Sequence, residues 1–190
     1  MLDDVIAAEG SGRLLISDDQ TIRTLAADEF SAKASWLQPV LMKALNRGLL
    51  SREDYLRAVL HFIDCRLQFI TVNSDLLSGS LKDAHGHALP ESFSKLASRL
   101  GGARADLASH LSVAFGAIQS VWRNDALSFT VRQAAVGELL ENLRRDRPIE
   151  QIWALMREFL QFGQLTLRDN RFVDYVVDWL RFHFIPFPRR

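Results

Sequence analysis

Two carboxylates stand at the end of a short apolar run near the start of the chain. Leu14–Ile16 is followed directly by Ser17, Asp18 and Asp19. The run lacks the alternation of a half-exposed strand, so it predicts a strand covered on both faces. Open parallel sheets place their ligands beyond the carboxyl ends of the strands, and oxygen atoms are the ligands that Mg2+ prefers. The pattern therefore indicates a candidate site for a divalent metal ion.

Helix capping explains the same residues without a metal. Ser17 followed three residues later by Gln20 matches a capping box, and Asp18 and Asp19 would stand at the positive end of the helix dipole. Residues 19–30 then continue with a helical pattern. Because one carboxylate can fill both roles, we expect this segment to be a helix cap and also one half of a carboxylate site.

The other candidates for chemistry are weaker. His85 and His87 lie with Asp83 in a glycine-containing loop, but no further His or Cys stands at zinc spacing, so solvated histidines are expected. His61 lies in an apolar-rich helix and is predicted to be packed. Cys65, the only cysteine, has no activating partner evident in the sequence and is expected to be an inert thiol. No Gly-rich phosphate loop or nucleophile elbow is present.

The composition is that of an ordinary globular protein. Of 190 residues, 48% are hydrophobic and 24% charged, and the 23 basic residues balance the 23 acidic ones, so no global field indicates nucleic-acid binding. A single cysteine fits a reducing cytoplasm, and the first ten residues carry aspartates where a signal peptide carries positive charge. The longest stretch without Asp, Glu, Lys or Arg, Leu107–Trp122, is shorter than the ~20 residues of a membrane span. We expect a cytoplasmic protein that does not contact membrane.

Helical patterns dominate, which predicts a fold that is mainly α with a small α/β portion. The first part, residues 1–78, combines helices with strands at residues 14–16 and 67–72, and a poorer strand signal lies at 31–35. Its helices are predicted at residues 3–9, 19–30, 36–47 and 51–66. The second part, residues 79–190, begins with a boundary loop at 83–90 and is predicted to be helical at 91–100, 106–122, 127–144, 149–161 and 172–184.

The predicted sheet is too small to stand by itself as a doubly wound domain. An apolar strand at Leu14–Ile16 requires neighbouring strands for its backbone groups. We therefore expect a further strand, from a segment ahead of this one or from a partner, to pair along this edge of the sheet.

The order of these features resembles the second half of a bacterial PIN-domain nuclease over roughly residues 1–77. Asp3 precedes Ile6–Ala8, as an acidic residue opens the corresponding helix in that family. Ser17 and Asp19 match its Thr/Ser-x-Asp element at the end of a strand. The later segments LMKALNRGLL and FITV are similar to the helix-turn and the last strand of a subset of these proteins.

The resemblance implies cleavage of RNA with Mg2+ or Mn2+. Asp3 and Asp19 would be the catalytic carboxylates and metal ligands, Asp18 a further ligand, and Ser17 an assisting residue. The family also uses an aspartate on the first strand and a glutamate in an early helix, which have no counterpart ahead of Met1. The resemblance thus implies a ribonuclease fragment or subunit that is inactive alone. A non-catalytic helical module for protein interaction, with or without true kinship to PIN domains, is the alternative.

A second candidate contact surface is the aromatic carboxyl-terminal segment. One stripe of its predicted helix is charged, and the rest of the helix surface is apolar and aromatic. A central helix of the second part is the favoured interpretation, and a docking element that continues into Phe184–Pro188 is the alternative. We expect a protein partner or a homo-oligomer, through this segment or through the sheet edge near Leu14–Ile16.

Overall fold

The structure is a computed structural model that describes residues 2–9, 12–67, 70–82, 84, 88–102 and 106–183. The chain divides into two compact units, Met1–Thr71 and Val72–Arg190. Helices make up most of the described residues, and the strands among them form one small parallel sheet in the first unit. The predicted fold class, mainly α with a small α/β portion, is confirmed. Half of the predicted boundary loop at 83–90, namely residues 83 and 85–87, lies outside the described residues.

The first unit is built on a parallel β-α-β arrangement. Its elements are α1 (Leu2–Ala8), β1 (Leu14–Ile16), α2 (Gln20–Phe30), β2 (Lys33–Ser35), α3 (Leu37–Asn46) and α4 (Arg52–Asp64). β1 and β2 are parallel, with Leu15 opposite Ala34, and α2 connects them. A small core of Val5, Ala8 and Ala26 lies against Leu15, so α1 and α2 are fixed to one face of the sheet.

The opposite face of β1 is exposed. Leu14 and Ile16 are 49% and 47% exposed, while Leu15 between them is half-buried. The expectation of a strand covered on both faces is therefore wrong for the described residues. The local cause is the size of the sheet, because α1 and α2 pack on the side of Leu15 only.

The second strand of the sheet lies where the sequence signal was poorer. β2 falls within residues 31–35, whereas Leu67, Ile70, Thr71 and Val72 of the stronger predicted strand lie outside any strand. Residues 68 and 69 lie outside the described part. The strand at 67–72 is thus a wrong prediction for the residues described.

A buried side chain explains why that segment needs no neighbouring strand. Gln38 of α3 is 2% exposed, and its Nε2 donates to the Thr71 carbonyl oxygen at 2.7 Å. The Thr71 amide donates back to Gln38 Oε1 at 2.7 Å, and Nε2 also donates to the Tyr55 hydroxyl at 3.1 Å. Because the primary amide of Gln38 bonds to both backbone groups of Thr71, it replaces the hydrogen bonds that a neighbouring strand would otherwise provide.

The second unit is helical in its described part. Its elements are α5 (Ser74–Gly79), α6 (Glu91–Ala97), α7 (Leu107–Trp122), α8 (Phe129–Arg144), α9 (Ile149–Gln161), a π-helical turn (Phe162–Leu167) and α10 (Asn170–Phe182). Aromatic rings fill its core: Phe115 stacks on Phe162 at 4.4 Å between centroids and meets Phe159 edge-on at 5.0 Å.

A hydrogen-bonded carboxylate fixes the start of α10. Asp169 caps the helix by accepting from the Arg171 amide, and its Oδ2 accepts from Trp122 Nε1 at 3.0 Å. The side-chain hydrogen bond from Arg171, helped by that from Trp122, lowers the pKa of Asp169 from 3.8 to about 2. The carboxylate therefore stays ionised and ties the amino end of α10 to α7.

α10 packs by one face. Phe172, Val176, Trp179 and Leu180 are buried, whereas Phe182 is 85% exposed. Residues 184–190, which include the predicted docking extension, lie outside the described part. Among the described residues, no helix has both the length and the apolar character needed to span a membrane.

Candidate functional site

The junction of β1 and α2 carries the first group of predicted site residues. Asp19 is the N-cap of α2: its Oδ1 accepts from the Thr21 amide at 2.8 Å and from the Ile22 amide at 3.4 Å. The predicted cap, Ser17, instead accepts from the Asp19 amide through its hydroxyl at 3.2 Å. The cap is therefore two residues later than the capping-box spacing indicates, because β1 and its continuation still hold Ser17 in the sheet.

The neighbouring carboxylate serves a different helix. Asp18 is half-buried, and its Oδ1 accepts from the amide of Leu37, the first residue of α3, at 3.4 Å. Two consecutive aspartates thus face the amino ends of two helices, where a negative charge is favoured by the helix dipole. This arrangement brings the start of α3 next to the carboxyl end of β1.

A cation also lies at this junction. Arg23 of α2 donates through Nη1 to the Ser17 carbonyl oxygen at 2.7 Å, and its guanidinium lies 5.5 Å from the ring centroid of Trp36. The side chain therefore links β1, α2 and the start of α3. It adds a positive charge to a segment that already contains Asp18 and Asp19.

The acids of α1 lie beside a groove along β1. Asp3 and Asp4 are exposed in the first turn of α1. A groove of about 380 Å³ runs between α1 and β1, and its lining includes Asp4, Arg13, Leu14, Ile16 and Ser17. Of the two adjacent acids, the one that lines the groove with Ser17 is Asp4, whereas the resemblance assigns the ligand role to Asp3.

The carboxylates do not form a complete metal centre within the described part of the chain. No group of three or more His, Cys, Asp or Glu side chains there is placed to hold a metal ion. The roles of Asp3, Asp18 and Asp19 as ligands of Mg2+ or Mn2+ stay predictions. What the geometry does establish is a cap for Asp19 and a backbone contact for Asp18.

The capping role gives a prediction that isolates it from any chemistry. Replacing Asp19 with alanine should lower the free energy of unfolding by about 1 kcal/mol, since two amides of α2 lose their acceptor. Asn retains an acceptor oxygen and caps as well as Asp, so Asp19→Asn should change it by less than about 0.5 kcal/mol. Urea denaturation followed by circular dichroism measures both, and equal losses would contradict the capping role.

A second pair of candidate ligand side chains, which the sequence analysis did not bring together, lies at the carboxyl end of α4. His61 and Cys65 are both exposed, and Cys65 Sγ lies 3.5 Å from His61 Nε2. The prediction of a packed histidine is wrong, because His61 is exposed. Cys65 has His61 as a polar neighbour, and the expectation that its thiol is inert stays a prediction. The signal was present in the sequence, because residues four apart on a helix are neighbours on its surface. His85 and His87 lie outside the described residues.

Comparison of the chain with protein-family models, with curated proteins and with solved structures finds no significant match.

Proposed function

We propose that residues 1–77 form the second half of a PIN-like module, which cleaves RNA with Mg2+ or Mn2+ when a further strand is added beside β1. The chain would act as a ribonuclease fragment or subunit. The observation that carries this proposal is the parallel β1-α2-β2 arrangement, in which β1 is paired on one side only within the described residues.

The backbone of β1 supports the addition of a strand. The Ser17 amide donates to the Ser35 carbonyl oxygen at 2.9 Å, so Ser17 directs its backbone groups toward β2. Successive residues of a strand direct these groups to opposite edges, which leaves those of Ile16 for a neighbour on the other side. Exposed apolar side chains at Leu14 and Ile16 flank that edge. Proteins normally protect such an edge, and β-strand addition is a common way to use it.

The carboxylates lie where an added strand would bring further ligands. Asp18 and Asp19 follow β1, and a parallel strand beside β1 would end at the same edge of the sheet. Mg2+ takes a few carboxylate oxygens from protein and completes its shell with phosphate and water, so acids from the added strand could join these two. The groove residues Asp4 and Ser17 lie next to the same edge.

One observation favours a second candidate function. Asp18 and Asp19 each already accept hydrogen bonds from a helix amino end, which accounts for both residues without a metal. In this case the first unit is a scaffold, and the chain is a non-catalytic helical module for protein interaction. The same strand addition at β1 would then serve assembly rather than catalysis.

The test uses a substitution that preserves the cap. The native assembly containing Asp19→Asn should lose Mg2+- or Mn2+-dependent RNA cleavage by about a hundredfold or more, because a ligand charge is removed while α2 keeps its acceptor. Asp28→Asn, an exposed acid in the same helix, is the control and should retain cleavage. Full activity in Asp19→Asn, or a native assembly that does not cleave RNA with either metal, would refute the nuclease proposal and favour the scaffold.

A further inference from the structure

His61 and Cys65 form a preorganised pair of metal-ligand side chains on the surface of the first unit. His61 lies in the last turn of α4, and Cys65 is the residue that ends the helix. The opposite face of α4 is anchored by buried Tyr55, Val59 and Phe62. Because that face is fixed in the core, the imidazole and the thiol are presented together on the outside of a rigid helix.

The separation of the two atoms is that of ligands on one metal ion. Zn2+ binds cysteine sulfur at about 2.3 Å and histidine nitrogen at about 2.0–2.1 Å, and a tetrahedral angle between them places sulfur and nitrogen about 3.5–3.6 Å apart. Cys65 Sγ and His61 Nε2 are 3.5 Å apart. This separation is compatible with chelation of one Zn2+ ion by both atoms once the hydrogen bond between them is released.

We propose that His61 and Cys65 bind Zn2+ through the imidazole and the thiolate. This site is separate from the proposed Mg2+ centre and uses softer ligands, which favour Zn2+ over Mg2+. No third His, Cys, Asp or Glu side chain of the described residues completes it. Its remaining coordination positions are open, either to water or to the same pair on a second copy of the chain.

Co2+ is the probe that tests the site, because a thiolate bound to Co2+ gives a charge-transfer band in the near ultraviolet. Cys65 is the only cysteine, so the band reports on this residue alone. Titration of the reduced 190-residue chain with Co2+ should produce the band, and added Zn2+ should abolish it. A plateau at one Co2+ per chain excludes a second copy as the source of the other ligands, and one per two chains identifies a second copy.

Two variants separate chelation from binding by the thiol alone. His61→Ala should weaken Co2+ binding about tenfold or more, whereas a thiol acting alone would bind equally well in both proteins. The double variant His61→Ala, Arg57→His keeps the histidine count but places the imidazole eight residues from Cys65. That is about 12 Å along the helix, too far to chelate, so it should bind as weakly as His61→Ala.

The same titration gives the results that would overturn the site. A band that is absent at micromolar Co2+, or that is unchanged in His61→Ala, refutes a shared site. Both substituted positions are exposed, so circular dichroism of each variant should match that of the unsubstituted chain and exclude unfolding as the cause.

Discussion

Gly101→Ala is expected to lower the free energy of unfolding of the second unit by about 2–6 kcal/mol. Gly101 has a φ of +104°, a conformation that L side chains rarely adopt, and strain of this kind costs about 1–3 kcal/mol. A Cβ atom there would also overlap the backbone carbonyl oxygen of Asn142 and lie 2.8 Å from its carbonyl carbon. Because these are backbone atoms of α8, the helix itself would have to move. Such a movement costs about 1–3 kcal/mol more.

The same displacement would affect a hydrogen bond at this position. The Gly101 amide donates to His110 Nδ1 at 2.8 Å, which joins the segment before α7 to that helix. Burial, with a smaller contribution from Arg147, lowers the pKa of His110 and keeps the imidazole neutral, as an acceptor must be. Loss of this bond in Gly101→Ala would therefore add to the destabilisation.

Gly102→Ala is the matched control for Gly101→Ala. Gly102 also has a positive φ, +91°, but no described atom lies within 4 Å of a Cβ built on it. The control should show the backbone strain without the collision, so its loss of stability should be the smaller by about 1–3 kcal/mol. Urea denaturation of both variants measures the difference. Equal losses would mean that α8 accommodates the methyl group freely.

Phe172→Ala is expected to destabilise the second unit by about 3–5 kcal/mol. Phe172 is fully buried at the start of α10 and meets Trp122 edge-on, with the ring centroids 5.0 Å apart and the planes at 90°. It also meets Phe162 of the π-helical turn at 6.0 Å. Truncation removes both ring contacts and leaves a cavity between α7, the turn and α10.

Phe182→Ala is the control on the same helix. Phe182 is 85% exposed, so its truncation should change the free energy of unfolding by less than about 0.5 kcal/mol. Thermal and urea denaturation of the two variants give the comparison directly. A loss at Phe182 that matches the loss at Phe172 would contradict the one-sided packing of α10. The docking role of the carboxyl-terminal segment stays a prediction.

Helices could be predicted from the sequence where their signals are local. Residues 149–161 are helical with the bounds expected, because Pro148 stands just before the helix and an amphipathic pattern follows it. Asp106 caps α7 at the position where the predicted helix begins. Such signals lie within a few residues of the helix end, so no knowledge of the tertiary structure is needed.

The sheet was predicted less well because strand pairing is not local. The apolar run at 67–72 lacks a strand in its described residues, since Gln38, more than thirty positions earlier, satisfies the backbone of Thr71. β2 has the sequence Lys-Ala-Ser and becomes a strand through its pairing with β1, not through an apolar pattern of its own. In both segments, a neighbour in the tertiary structure determined whether the residues form a strand.

The candidate site also combines local features, which could be predicted, with tertiary contacts, which could not. The carboxylates at the β1–α2 junction could be predicted because they are adjacent in the sequence, and capping was one of the two roles expected of them. That Asp18 reaches Leu37 depends on β2 returning parallel to β1, which a local pattern does not encode. The His61–Cys65 pair was accessible to sequence reasoning through its four-residue spacing, but the apolar residues around His61 indicated burial instead.

The central claim is that a further strand pairs with the edge of β1 and completes the activity. The most direct test compares Ile16→Lys with Leu49→Lys in the native assembly, since both side chains are exposed and lie in the first unit. A lysine at Ile16 opposes strand addition at the edge, whereas Leu49 lies outside the strands.

Native mass spectrometry and metal-dependent RNA cleavage are measured on each of the two variants. We predict that Ile16→Lys abolishes cleavage and, where a partner supplies the strand, lowers the mass of the assembly, whereas Leu49→Lys does neither. An Ile16→Lys assembly that keeps both its mass and its cleavage would contradict the account.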